Sequence, residues 1–84
     1  MMILEEDWGI CPERIRQFFL TQPDVAELPD GFQYGDCHIR LTPTEKLLLD
    51  KWPQTRTIIR MEGPENDIQQ IYQRFFLQFL SAGG

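Results

Sequence analysis

Six prolines divide the 84-residue chain almost evenly into short segments. They stand at Pro12, Pro23, Pro29, Pro43, Pro53 and Pro64. Because proline fixes φ and lacks a backbone N–H, it is tolerated in the first turn of a helix, in turns and at strand edges, but not inside a long regular element. We therefore expect several short elements, and a chain of this length has room for one domain, residues 1–84.

Two helices are predicted beside prolines. Pro12 stands at a first-turn position, with Ile15, Phe18 and Phe19 on one face, and this helix is expected to end before Pro23. A C-terminal helix follows Gly63–Pro64, because acidic residues begin it and apolar residues recur at helical spacing. Its apolar stripe consists of Ile68, Ile71, Tyr72, Phe75, Phe76 and Phe79.

A third helix is predicted by Thr42–Pro43–Thr44–Glu45, which has the form of a capping box with a proline at the first helical position. This short helix is expected to run to about Trp52.

Strands are predicted where apolar and polar residues alternate. The segments are Met2–Glu5, Cys37–Leu41 and Thr55–Glu62. The sequence thus predicts an α/β (α+β) two-layer fold in the order β-α-β-α-β-α, a small sheet of three or so strands with its helices packed on one face. The link between the last two strands is near the minimum length for a parallel crossover, so antiparallel pairing across a helical loop is an open alternative.

The charge balance narrows the classes of partner. Thirteen acidic and eight basic residues give a net charge of −5, which disfavours binding to nucleic acid. No apolar run approaches the roughly 20 residues that a spanning helix needs, so no membrane association is expected. With two cysteines and no sign of export, both thiols are expected to be reduced and the protein cytoplasmic.

One predicted face of the sheet is basic, in contrast to the net negative charge of the chain. If Ile39, Leu41, Thr57, Ile59 and Met61 face the helices, the opposite face carries a basic patch with an apolar centre. The patch consists of His38, Arg40, Arg56 and Arg60 around Ile58. It could bind an anionic ligand or an acidic partner. The alternative is that Glu62 and Glu5 pair with these arginines across neighbouring strands.

The C-terminal helix carries a second candidate surface. At 100° per residue, Leu77 and Leu80 fall outside the main apolar stripe, on the side of Gln70 and Gln73. Two neighbouring exposed leucines predict an association surface for a homodimer or a larger complex.

Cys11 is the candidate reactive residue. It precedes Pro12 at a predicted helix start, where backbone N–H groups favour a thiolate; the alternative is a partly buried capping residue. The stretch Asp7–Trp8–Gly9–Ile10–Cys11–Pro12 resembles the D-x-G-x-C-P pattern of TusA-like sulfur-carrier proteins, although the second proline of that pattern is Arg14 here. The resemblance implies a small two-layer α/β fold and a persulfide carried on Cys11.

Enzymatic chemistry has little support in the sequence. The chain offers one histidine, His38, and a Ser-His-Asp triad is therefore not expected. In an alternating strand Cys37 and His38 point to opposite faces and cannot share a metal ion. We predict neither a metal nor a cofactor.

The leading hypothesis is a non-enzymatic interaction or adaptor domain that self-associates or docks a protein partner through the open sheet face or the C-terminal helix. The second hypothesis is a sulfur carrier that works through Cys11.

Overall fold

The structure, a computed structural model, describes residues 1–48 and 52–82. Its elements, in chain order, are β1 (Met2–Trp8), α1 (Pro12–Leu20), β2 (Val25–Leu28), β3 (Gly31–Tyr34), β4 (Cys37–Leu48), β5 (Trp52–Gly63) and α2 (Glu65–Ala82). The strands form one five-stranded sheet in the order β1-β5-β4-β3-β2, with every neighbouring pair antiparallel. The predicted three-stranded β-α-β-α-β-α fold is therefore wrong: four strands follow α1 without a helix between them.

Both helices pack against the same face of the sheet. The core that they share with the sheet is formed by Ile15, Phe19, Phe32, Cys37, Ile39, Ile59, Met61, Ile68, Ile71, Phe75 and Phe79. Thr57 is buried among these apolar groups, and its Oγ1 donates a hydrogen bond of 2.6 Å to the carbonyl oxygen of Ile10. This bond satisfies a buried hydroxyl and ties the segment before α1 to the centre of the sheet.

The helix α2 buries the predicted stripe. Four residues of the stripe are buried: Ile68, Ile71, Phe75 and Phe79. Gln73, on the opposite side of the helix, is exposed. Glu65 and Asp67 occupy the first turn, where carboxylates complement the helix dipole. Among the residues described, no helix is long and apolar enough to cross a bilayer.

The helix predicted from Thr42 is a strand. Residues up to Leu48 belong to β4, and the register pairs Thr42 with Ile58 and Pro43 with Thr57; residues 49–51 of the predicted helix lie outside the described residues. A capping box contributes only about 1 kcal/mol through local bonds. Pairing along the whole of β5 supplies many more hydrogen bonds, so the long-range interaction decides the conformation.

The prolines of this hairpin occupy matching places in the ladder. Pro43 of β4 lies opposite Thr57 of β5. Leu47, four residues after Pro43 on β4, lies opposite Pro53 of β5. Since hydrogen-bonded and non-hydrogen-bonded pairs alternate in an antiparallel ladder, these two pairs are of the same kind. Proline has no N–H to give, so both are non-hydrogen-bonded pairs, and the prolines direct their nitrogen atoms away from the β4–β5 ladder.

The β4–β5 hairpin extends beyond its neighbours. The pairing of β5 with β1 ends at Thr57, and that of β4 with β3 ends at Ile39. Past these points the hairpin is a two-stranded ribbon with two outer edges, which agrees with the elongated dimensions of 41 × 23 × 22 Å. Pro43 and Pro53 therefore stand on outer edges, where a missing N–H breaks no bond.

Two short strands were not predicted from the sequence. β2 and β3 are joined by Pro29–Asp30, and β3 and β4 by Gly35–Asp36. Gly35 has φ 56°, a conformation that favours glycine. The backbone N–H of Asp36 donates a hydrogen bond of 3.0 Å to Oδ2 of Asp67, so this turn is fixed to the start of α2.

Candidate functional site

The face of the sheet away from the helices carries the basic residues singled out from the sequence. His38 and Arg40 lie on β4, and Arg56 and Arg60 lie on β5. Their positions alternate with buried Ile39, Thr57, Ile59 and Met61, so the four side chains share the opposite face. We call this surface, together with Glu5, Asp7, Asp30, Thr42, Ile58 and Glu62, the open face. No described element covers it.

Arg60 is the cation of the open face that forms hydrogen bonds with two carboxylates. Its Nε donates a hydrogen bond of 2.6 Å to Glu62, and its Nη1 donates one of 3.2 Å to Glu5 on β1. The hydrogen bond from Arg60 holds the pKa of Glu62 below its usual range. The pairing across neighbouring strands, set out above as the alternative to a binding patch, is present between Arg60 and Glu5, whereas Glu62 pairs with Arg60 along the same strand.

The other cations of the open face also meet carboxylates. Arg56 Nε donates a hydrogen bond of 2.9 Å to Asp7. On the neighbouring strand, His38 and Arg40 contact Asp30 at 3.3 and 3.4 Å. Surface pairs of this kind contribute little to stability.

Arg40 and Arg60 lie directly opposite each other in the β4–β5 register. Like charges in this position destabilise a sheet. Arg60 is held between two carboxylates, whereas Arg40 reaches Asp30 at 3.4 Å and its side chain is 52% exposed. The charge of Arg40 is therefore less fully neutralised by carboxylates than that of Arg60. Arg40 presents a cation at the middle of the open face, beside Thr42 and Ile58.

Cys11 is the N-cap residue of α1. Its backbone is extended, its carbonyl oxygen accepts bonds from the N–H groups of Arg14 and Ile15, and its side chain makes no capping hydrogen bond. The thiol is partly exposed. The guanidinium of Arg14 lies 6.0 Å from the ring centre of Phe79, so this cation contacts the core aromatic group on α2.

Cys37 differs from Cys11 in its burial. It is fully buried under the helices, and burial, reinforced by the charge of Asp67, raises the pKa of its thiol to about 11. His38 lies on the other face of β4, so the two do not converge. Within the described part of the chain no group of three His, Cys, Asp or Glu residues is placed to hold a metal ion.

Leu77 and Leu80 lie on the outer flank of α2 and are 59% and 55% exposed. They follow Phe76, which is half-buried and packs edge-on against Trp8 of β1 at 5.9 Å between ring centres. Leu80 lies one turn after Phe76, on the side of α2 toward β1, whereas Leu77 lies opposite the buried stripe on the outer face of the helix. Both lie on the helix side of the sheet, away from the basic side chains of β4 and β5.

One polar cluster was missed from the sequence. Glu6 accepts hydrogen bonds from Nε1 of Trp8 at 2.9 Å and from the hydroxyl of Tyr72 on α2 at 2.6 Å. Burial and this bond raise the pKa of Tyr72 to about 12. The signal was the alternation of Met2, Leu4 and Trp8, which places Glu6 on the helix-facing side of β1 and not on a solvated edge.

These features describe a sheet surface of paired charges, one accessible thiol and an exposed helix flank. No family model, curated protein or solved structure matches the chain.

Proposed function

We propose that the chain is a non-enzymatic interaction domain in a cytoplasmic setting, and that its docking surface is the open face. The single observation that carries this proposal is the register of Arg40 directly opposite Arg60. A sheet gains nothing in stability from two opposed arginines. Departures from local rules of this kind are expected where a surface serves binding.

The charges of the open face indicate the chemistry of the partner. Arg40 is half-exposed, its contact to Asp30 is long at 3.4 Å, and Glu62 acts on it only through its charge, so an additional carboxylate can approach it from solvent. An Arg guanidinium binds carboxylates through two parallel hydrogen bonds, which adds geometric specificity to attraction. Ile58, half-buried between the charged rows, supplies an apolar contact beside them. The partner is therefore an acidic segment of a protein.

A charge-matched pair of variants tests the proposal. Arg40→Gln removes the exposed cation of the open face, and Arg16→Gln removes a cation of similar exposure from α1, where Arg16 pairs with Glu27. Both variants have the same net charge. The probe is a fluorescent ten-residue glutamate peptide, whose binding is followed by anisotropy at low and physiological salt.

We expect the wild-type protein and Arg16→Gln to bind the peptide alike, and Arg40→Gln to bind several-fold more weakly. An equal loss in both variants would mean that binding follows net charge and not the open face. A lack of binding by the wild-type protein at low salt would also contradict the proposal.

A second candidate function rests on Cys11. The contrast between this partly exposed thiol at the start of α1 and the buried Cys37 supports it, as does the D-x-G-x-C-P resemblance to TusA-like sulfur carriers. In that role the Cys11 thiolate would attack the outer sulfur of a persulfide on a donor protein. A new S–S bond forms on Cys11, the donor's S–S bond breaks, and the donor leaves as a thiolate.

The observed element order restricts the likeness to that stretch. The family resemblance implies helices between successive strands, whereas β2 to β5 follow α1 directly. The test is the mass of the protein isolated from cells without reductant. A +32 Da adduct on Cys11 that dithiothreitol removes, and that is absent from Cys11→Ser, would support the carrier role, because a sulfinic acid of the same nominal mass resists thiol reductants. The unmodified mass alone would contradict it.

A further inference from the structure

The outer edge of β1 presents backbone groups to solvent in a regular pattern. Because Pro43 and Thr57 form a non-hydrogen-bonded pair, Thr57 directs its backbone N–H and C=O toward β1 and bonds Trp8. By alternation Met2, Leu4 and Glu6 also bond β5. The N–H and C=O groups of Ile3, Glu5 and Asp7 therefore point outward, where no described strand pairs with them.

The other outer edges in the described structure are protected. β2 has only four residues and lies between Pro23 and Pro29. The ribbon edges of β4 and β5 carry Pro43 and Pro53, whose nitrogen atoms point outward and cannot donate. Short edge strands and outward prolines are two of the devices by which proteins prevent a further strand from pairing, and charged edge residues, which repel strands of like charge, are another.

β1 has neither of the first two devices. It is seven residues long, contains no proline, and pairs with β5 in continuous register from Met2 to Trp8. An edge strand of this length and regularity is a template for β-augmentation, in which an extended peptide adds to a sheet through main-chain hydrogen bonds.

The side chains of β1 define the charge of the peptide that fits. Glu5 and Asp7 project from the open face and are about half exposed, and Glu6 projects from the helix side. Glu6 is bonded to two uncharged donors, Trp8 and Tyr72, so its charge is not offset by them. Glu5 and Asp7 each form an ion pair with one arginine of β5, Arg60 and Arg56 respectively. β1 itself carries three consecutive carboxylates and no basic side chain, which favours a basic segment and opposes the pairing of β1 with β1 of a second copy.

We propose that β1 is a docking site for an extended, basic segment of a partner protein, which adds to the sheet as a sixth strand. The segment pairs with Ile3, Glu5 and Asp7. Lys or Arg at two alternating positions lies opposite Glu5 and Asp7 on the open face. Glu5 and Asp7 belong to the open face, but this segment binds through the backbone edge of β1 and not through Arg40 on β4, so either proposal can fail without the other.

The alternation gives a direct test by amide hydrogen exchange. The probe is an eight-residue peptide of alternating lysine and threonine, added to the ¹⁵N-labelled protein. In the free protein we expect the amides of Leu4 and Glu6 to exchange slowly and those of Ile3, Glu5 and Asp7 to exchange fast. With peptide bound, we expect the three fast amides to become protected while Leu4 and Glu6 change little.

Two controls separate strand addition from charge attraction. The same peptide with N-methyl groups on alternate residues cannot pair with an edge, and we expect it to bind about tenfold more weakly because main-chain bonds are lost. A peptide of alternating glutamate and threonine is expected not to bind β1. Equal affinity of the methylated peptide, or binding of the acidic one at β1, would overturn the proposal.

Variants of the protein complete the test. Ile3→Pro removes an outward N–H but no bond to β5, and it is expected to abolish the protection of the Glu5 and Asp7 amides by the peptide. Ile3→Thr keeps the N–H and is expected to retain this protection. Asp7→Asn is expected to weaken binding several-fold, and Glu27→Gln on β2 to leave it unchanged. Concentration-dependent protection of Ile3 and Glu5 without peptide would show instead that a second copy occupies β1, and would overturn the assignment of a basic partner.

Discussion

Replacing Phe75 by alanine tests the packing of α2 on the sheet most severely. The Phe75 ring is fully buried and meets five other aromatic rings, including Trp8 at 4.8 Å and Phe79 at 5.1 Å between centres. Removal of a large buried aromatic side chain costs about 3 to 5 kcal/mol through lost transfer energy and the cavity that remains. Domains of this size have an unfolding free energy of about 4 to 13 kcal/mol in total, so the variant loses roughly a quarter of it or more.

The assay is urea denaturation followed by circular dichroism, with Leu77→Ala as the control on the same helix. Leu77 is 59% exposed, and its truncation is expected to change the unfolding free energy by no more than about 0.5 kcal/mol. Should Phe75→Ala fail to fold, Phe75→Leu is expected to fold with a loss of about 1 to 2 kcal/mol. Equal stability of Phe75→Ala and Leu77→Ala would refute the position of α2.

Further predictions concern the thiols, the Glu6 cluster and the flank of α2. Cys11 is expected to react with iodoacetamide in the native protein, and Cys37 only after unfolding; equal rates at the two thiols would contradict their different burial. Because the folded-state pKa of Cys37 is about 11 against 9.0 ordinarily, its neutral form stabilises the fold below pH 9, and we expect the unfolding free energy to fall as pH rises toward 11 in wild type more than in Cys37→Ala. Tyr72→Phe removes the donor to Glu6 and is expected to lower the unfolding free energy by about 1 to 2 kcal/mol in urea titrations, whereas no change would mean that water replaces the bond. Leu77→Glu is expected to keep the circular dichroism of wild type but to weaken any self-association seen by sedimentation; unchanged sedimentation would exclude this flank as a dimer interface.

The elements that the sequence predicts well are those with a periodic apolar pattern of sufficient length. The stripe from Ile68 to Phe79 matches α2, and the alternation from Cys37 to Leu41 lies within β4. In both cases the local pattern and the tertiary packing favour the same conformation. The same holds for Pro12, which occupies the first turn of α1.

Thr42–Pro43 shows where local reasoning fails. A threonine before a proline satisfies a helix start and an outer strand edge equally well, because each leaves the proline nitrogen without a partner. The choice depends on β5, more than ten residues away, and a single sequence does not reveal that pairing. β2 and β3 have four residues each, which is too short for an alternating pattern to be recognised.

Strand alternation predicts on which face of the sheet each side chain lies, and the open face was predictable to that extent. Alternation within β4 and β5 predicts which residues share the open face, and Glu5 was considered as a cross-strand partner, but Asp7 and Asp30 were not. Asp30 comes from the turn between β2 and β3, and Asp7 from β1, so both ion pairs depend on the strand order. The opposition of Arg40 and Arg60 likewise depends on the register.

Amide chemical-shift mapping with the glutamate peptide tests the proposed function most directly. The ¹⁵N-labelled protein is titrated with the ten-residue glutamate peptide at low salt, and the shifts are mapped onto the described residues. If the open face docks an acidic segment, the largest shifts will fall on Arg40, Thr42, Ile58 and Arg60, and Arg40→Gln will remove them. Shifts that fall instead on α1 around Arg16, or no shifts at all, would contradict the account.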